Sequence, residues 1–311
     1  MRTAGVILAV LILLLAGCFS APQPQTGFSV SNSGVLSYPA ARGEMKYEKE
    51  LLESGSSYAL YKLAYAGASN ATIYGLLREV SGAGSAGGSG VQAERAAIVL
   101  LPGAGRTKEQ EQELAQALAG MGYSTLSLDQ RGDVGESKDL AEGFDTQYAG
   151  FLRGEEIFEY KRVYDVLRAS DILRQSNHAK IIFMGESMGG RYSIIACAIE
   201  PACTGAVGIS TSGYGFDYAK MPDANLTRFA LSIDPDTYAP LIAPRKLVMF
   251  HSPNDPVIPL ELARSTYLKA HEPRSFVEVE CSDSEGNGLH GWCTSMNAVL
   301  EQELQKIVNG N

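Results

Sequence analysis

The spacing of apolar and polar positions changes character three times along this chain. After Met1 and Arg2, residues 4–19 carry no charge. That run is shorter than the ~20 apolar residues a spanning helix requires, and it reads as an export signal. Residues 20–46 are rich in Ser, Pro, Gln and Gly without a sustained period, which predicts a tether. From Tyr58 the runs YALYKLAYA and TIYGLLREV alternate on either side of GASNA, and this pattern predicts a β-hairpin. SGAGSAGGSG, at 81–90, reads as a flexible surface connection.

Beyond that connection, short apolar runs alternate with stretches of helical spacing. Strands are predicted at 96–101, 124–128, 180–184, 206–210, 247–251 and 276–279, and helices at 108–119, 155–175, 188–199, 260–270 and 294–308. Strands apolar on both faces belong in a mostly parallel central sheet with helices on either side. The chain therefore divides into a signal peptide (1–17), a tether (18–46) and one α/β domain (47–311). No internal repeat is present and no Gly-x-Gly-x-x-Gly follows the first core strand, so nucleotide binding has no support.

Composition narrows the picture. With 311 residues, 45% hydrophobic, the chain is long enough to bury a full core. Lys and Arg number 26 against 35 Asp and Glu, and the net charge of -9 provides no polybasic face for nucleic acid. The cysteine count, 5, is odd. Cys18 closes the sequence Leu-Ala-Gly-Cys, which resembles the lipobox of secreted lipoproteins. The resemblance implies cleavage before Cys18 and lipid attachment to it; the alternative is an uncleaved signal-anchor with Cys18 incidental. Either arrangement places the body on the extracytoplasmic side of the membrane, where thiols oxidise. The remaining cysteines are expected to pair as Cys197–Cys203 and Cys281–Cys293, although four cysteines allow three pairings and Cys197 also suits a buried free thiol on a helix.

The chemistry concentrates at 180–199, KIIFMGESMGGRYSIIACAI. A buried strand runs into Gly185-Glu186-Ser187-Met188-Gly189 and a helix follows at once. Glycines two positions either side of the serine allow a strand-to-helix turn too sharp for a Cβ. Such a turn exposes the serine hydroxyl and sets it at a helix N-terminus, where N–H groups favour developing negative charge. Gly135-Glu136-Ser137 repeats the tripeptide but lacks the second glycine and leads into an acidic, loop-like segment.

A serine nucleophile needs a base, and the base needs an orienting carboxylate. On an elbow of this kind the chain order is Ser, acid, His. His178 precedes Ser187 and is removed by order; His251 ends a strand and His271 ends a helix, positions that suit ordinary packing. His290 lies in a glycine-rich loop after the last strand and is the expected base. Asp255 follows an apolar strand directly and is the expected acid, whereas Asp234, Asp236 and Asp283 suit turns and caps. The oxyanion requires two preset backbone donors. The expected pair is the N–H of Met188 and that of Ala104, in the loop Pro102-Gly103-Ala104-Gly105 after the first core strand.

From about 58 to 308 the chain resembles the α/β-hydrolase superfamily in its leading hairpin, elbow, acid loop and His loop. The segment 129–137 and the helix 164–171 are similar to those of dienelactone-hydrolase-like and prolyl-oligopeptidase-like esterases. Two positions depart from the pattern: Pro102-Gly103 stands where family members usually carry His-Gly, and His251-Ser252 where Gly is frequent. The resemblance implies a Ser-His-Asp hydrolase of small or medium carboxylic esters, with an acyl-enzyme and no cofactor. Only about 211–245 is available for a cap, which favours small or medium esters over large lipids; Tyr214, Phe216, Tyr218 and Phe229 there either line that pocket or pack, and packing is expected. The alternatives are a peptidase, amidase or thioesterase of the same fold, and a non-catalytic surface lipoprotein using the fold as a scaffold. No H-E-x-x-H, C-x-x-C or carboxylate cluster calls for a metal.

Overall fold

A computed structural model describes residues 27–81, 96–132 and 134–310. Cys18, the signal segment and most of the 81–90 connection lie outside the described residues. No helix among the described residues is long and apolar enough to cross a membrane.

The centre is a nine-stranded sheet in the order β11-β10-β9-β8-β6-β7-β5-β4-β3. The strands β6 (Ala96–Leu101), β7 (Ser124–Leu128), β8 (Lys180–Glu186), β9 (Cys203–Ile209), β10 (Lys246–His251) and β11 (Arg274–Glu278) pair in parallel. The predicted hairpin is β4 (Tyr58–Ala66) against β5 (Thr72–Val80), and β5 joins β7 antiparallel. One further strand, β3 (Tyr47–Ser54), extends the edge beyond β4. Its sequence YEKELLES carries no core-facing alternation because it is exposed nearly throughout.

Continuous apolar runs form the central strands because both faces are covered. Along β6, Ala97, Val99 and Leu101 enter one core and Ile98 and Leu100 the other; Ile181 and Phe183 oppose Ile182 and Met184 along β8 in the same way. Helices α3 (Phe158–Gln175), α4 (Met188–Ile199) and α7 (Leu260–Lys269) supply the first core, and α1 (Gln112–Gly120) and α8 (Asn297–Asn309) the second.

Three expectations need correction. The stretch predicted as a tether over 18–46 is packed on the body from residue 27 onward. It forms a small hairpin, β1 (Ser29–Val30) with β2 (Leu36–Ser37). Leu36 is 0% exposed and its N–H donates to Tyr238 Oη at 2.9 Å. Arg42 holds Asp171 through two bonds, at 2.9 and 3.0 Å, and also pairs with Glu200. These anchors are single residues without a period, so a pattern search passes over them. Second, α2 (Phe144–Leu152) occupies a stretch, after the acidic segment that follows Ser137, for which no helix is predicted. It packs Phe144, Tyr148 and Phe151 around Phe229 of α5 (Ala224–Ile233), with ring centroids 5.0–5.5 Å apart. Together with α6 (Pro235–Tyr238) these helices make the short cap. Third, the predicted helix at 108–119 begins only at Gln112, because Lys108 turns inward to Asp129 and Glu136.

Candidate active site

Ser187, Ser210 and Asp255 all follow the C-terminal ends of parallel strands, where side chains from separate loops converge. At the end of β8, Ser187 has φ 50° and ψ −115°, a strained conformation for a residue with a Cβ. The flanking glycines make that turn possible. A Cβ on Gly185 would lie 2.4 Å from the carbonyl carbon of Gly189, and one on Gly189 would lie 2.2 Å from the Leu101 oxygen. Immediately after Ser187, Met188 opens α4, whose first N–H groups have no intrahelical acceptor.

The loop after β6 approaches the same point. A Cβ built on Gly103 would fall 3.5 Å from Ser187 Cβ, so this loop, which carries Ala104 as its next residue, runs beside the serine. Gln130 Nε2 donates to the Pro102 carbonyl at 2.6 Å and braces this loop, at the position where the sequence departs from His-Gly.

Asp255 and His290 are in direct contact. His290 Nδ1 lies 2.9 Å from both carboxylate oxygens of Asp255. A carboxylate at Nδ1 makes that nitrogen the donor and leaves Nε2 able to accept a proton. The N–H groups of Val257 and Ile258 also donate to Asp255, at 2.8 and 3.0 Å. Burial alone raises the Asp255 pKa, but hydrogen bonds from His290, Ile258, Val257 and Ser210 outweigh it and bring the value down to about 2. The carboxylate is thus kept ionised beside the imidazole. Ser187 Oγ is not hydrogen-bonded to His290 in this arrangement of the described residues; contacts of this kind commonly tighten when substrate binds.

The competing residues have other partners. Asp234 caps α6 and accepts from Tyr218 Oη, Asp236 pairs with Lys269, and Asp283 closes its own turn through Glu285 and Asn287. His251 is fully buried with Nε2 donating to the Ile258 carbonyl, and burial lowers its pKa. Ser137, in the second Gly-Glu-Ser, is buried and accepts from the Tyr74 N–H. Tyr214 and Phe216 stack on one another with centroids 5.2 Å apart, and Phe229 is 0% exposed, so these aromatics pack.

Three polar residues at the site escape a reading of motifs. Glu186 Oε1 accepts the Trp292 N–H, and Ser210 Oγ accepts the Gly291 N–H, both at 3.0 Å. These bonds fasten the two residues after His290 onto the elbow and the end of β9. Ser210 itself sits at φ 47°. The third is Glu111, which accepts from Arg106 Nε at 2.9 Å through one oxygen while its Oε2 has no hydrogen-bond partner among the described residues. Burial, then the Glu186 charge, push Glu111 up to about 7, and burial likewise raises Glu186. The only sequence signal for any of the three is the adjacency of Glu186 and Ser187.

The cysteines are bonded as Cys197–Cys203 and Cys281–Cys293. The second pair brackets the His290 loop.

An acetyl xylan esterase from Paenibacillus sp. R4 is similar in structure, with a TM-score of 0.66 over 87% of this chain and 90% of that one, at 16% identity. This chain has the α/β-hydrolase fold. Other α/β-hydrolase structures similar to it include acetyl xylan esterase 1 from Thermoanaerobacterium sp. JW/SL YS485, with a TM-score of 0.61, 16% identity and coverage of 86% and 89%. The esterase domain of a Rhodothermus marinus protein gives 0.53, 16% identity and coverage of 80% and 99%. The sequence family described as serine aminopeptidase, S33, matches residues 92–234, a span of the α/β-hydrolase fold that includes Ser187 and stops before Asp255 and His290. Among curated proteins, none matches the sequence.

Proposed function

We propose that this chain is a serine hydrolase that cleaves carboxylic esters with small or medium acyl groups. The observation that carries the reading is the Asp255–His290 pair, held by Glu186 and Ser210 against the strained elbow of Ser187. In this mechanism Ser187 Oγ attacks the acyl carbon as His290 Nε2 takes its proton. The N–H groups of Met188 and Ala104 receive the oxyanion, and Asp255 stabilises the imidazolium. His290 then protonates the departing alcohol, and water repeats the sequence to free the acid from Ser187. That similar structures bear the name esterase supports this reaction class.

The test is labelling of the full chain with a fluorophosphonate, together with turnover of short-chain aryl esters. Ser187→Ala should abolish labelling and reduce kcat by about 10⁶-fold, and Asp255→Asn should cost about 10⁴-fold. Unchanged labelling of the Ser187→Ala chain would remove the reading. The matched serine aminopeptidase family favours a second reading, amide or peptide cleavage. Turnover of aminoacyl arylamides without turnover of esters would establish that instead.

The same proposal places the enzyme outside the cytoplasmic membrane, held by lipid on Cys18. Two disulfides in the body suit an oxidising compartment. Incorporation of a fatty-acid label into the wild-type chain and its loss in Cys18→Ala is the expected result.

A further inference from the structure

A cavity of about 360 Å3 opens beside the imidazole of His290, with Arg106, Gln110, Glu111, Glu186 and Trp292 on its walls. Acyl pockets are lined chiefly by apolar side chains. This cavity presents three carboxyl groups, an amide and a guanidinium beside one indole and the side chains of Leu114 and Leu289. The position also has a chemical meaning. As the ester C–O bond breaks, His290 gives its proton to the departing oxygen while the acyl group stays on Ser187, so the alcohol half of the substrate lies on the His290 side of the reacting carbon.

We propose that this cavity is the leaving-group subsite and that it takes an uncharged, hydroxyl-rich alcohol such as a sugar. The inference rests on the ester-hydrolysis reading and adds the class of alcohol. Glu111 is 1% exposed and its Oε2 has no partner among the described residues, and a buried acceptor of this kind is stabilised by a donor such as a ligand hydroxyl. Glu186 and Gln110 also line the cavity and add further hydrogen-bonding groups. Trp292 offers a flat apolar face to the C–H side of a sugar ring, and its indole orientation is set by the bond from Nε1 to Asn297 Oδ1 at 3.0 Å. The walls select against ions of either sign. Three acidic side chains, Glu111, Glu113 and Glu186, repel a carboxylate or phosphate, and one indole makes no aromatic cage for a quaternary ammonium.

The chain contains a single tryptophan, and it stands on this cavity. Indole emission of the full-length Ser187→Ala chain is therefore a direct reporter of occupancy that needs no turnover. Titration with xylobiose or cellobiose should give a saturable change, and Gln110→Ala should weaken its midpoint by roughly tenfold. Choline and hexanol should leave the emission unaltered. In the active chain, Glu111→Gln should lower kcat/KM for an acetylated methyl glycoside roughly tenfold more than for an aryl acetate. No response to either disaccharide, a stronger response to choline or hexanol, or equal losses on the two esters would overturn the assignment. Disaccharide binding by a chain that hydrolyses no ester would keep the sugar site and remove the esterase reading, so the two failures are separable.

Discussion

Glu186, the residue before Ser187, accepts the main-chain N–H of Trp292, the second residue after His290, at 3.0 Å. The nucleophile and its proposed base are thereby joined through their immediate neighbours, not only through the fold. The contact is tight, because a Cβ on Gly291 would fall 2.8 Å from Glu186 Oε2. Gly291 also has φ 100°, a backbone conformation that disfavours a side chain there.

Removing that acceptor should misplace the imidazole without unfolding the domain. Glu186→Ala is expected to lower kcat by about 10- to 100-fold. Glu186→Gln, which retains an acceptor oxygen, should recover most of the loss. Steady-state kinetics beside a urea melt separate the two effects; a parallel fall in stability and kcat would mean a purely structural role.

The Cys281–Cys293 bond closes a loop with a sequence separation of 12 around His290. Replacing both cysteines by serine should cost about 3 kcal/mol if chain entropy dominates. The activity loss should exceed what that destabilisation explains, because the freed segment carries the imidazole. Far-ultraviolet circular dichroism and aryl-ester turnover, compared in the same denaturant series, would show activity lost before structure.

Glu111 and Asp255 push stability in opposite directions with pH. The Glu111 carboxyl, pushed up from 4.5 to about 7, binds its proton more tightly folded than unfolded. Its contribution is fully present below 4.5 and is lost as pH rises to about 7. Asp255, brought down from 3.8 to about 2, contributes above 3.8 and loses that contribution as pH falls toward 2. Glu111→Gln should therefore flatten the fall in urea midpoint between about pH 4.5 and 7, leaving the acid limb in place. A wild-type midpoint that rises across that window would contradict the assignment.

The N-terminal segment should behave as part of the domain. Arg42→Ala leaves the buried Glu200 carboxylate without its ion-pair partner, while Asp171 keeps Arg168 and Arg174. A loss of about 3 kcal/mol is expected, measured as a shift in denaturant midpoint. An unaltered midpoint would show that the segment is dispensable.

The strands of the central sheet were legible because burial on both faces leaves a continuous apolar run, as in AAIVLL and KIIFM. The elbow was legible because its glycine spacing is a local steric requirement at Gly185 and Gly189. Helix α2 was not, since its Phe and Tyr side chains pack against one residue, Phe229, far along the chain. Leu36 and Arg42 were missed for the same reason: each is anchored by a distant partner rather than by its neighbours.

The sequence by itself determined the alternation of strand and helix, the sharp turn at Ser187 and the order in which Asp255 and His290 follow it. The first two depend on residues within a few positions of one another, and the third is chain order itself. Only the tertiary structure decided that Glu186 and Ser210 hold the His290 loop, that Glu111 lies buried beside it, and that residues from 27 onward pack on the domain. Each of these depends on bonds between positions widely separated along the chain, and a linear pattern contains no signal for a partner brought close only by folding.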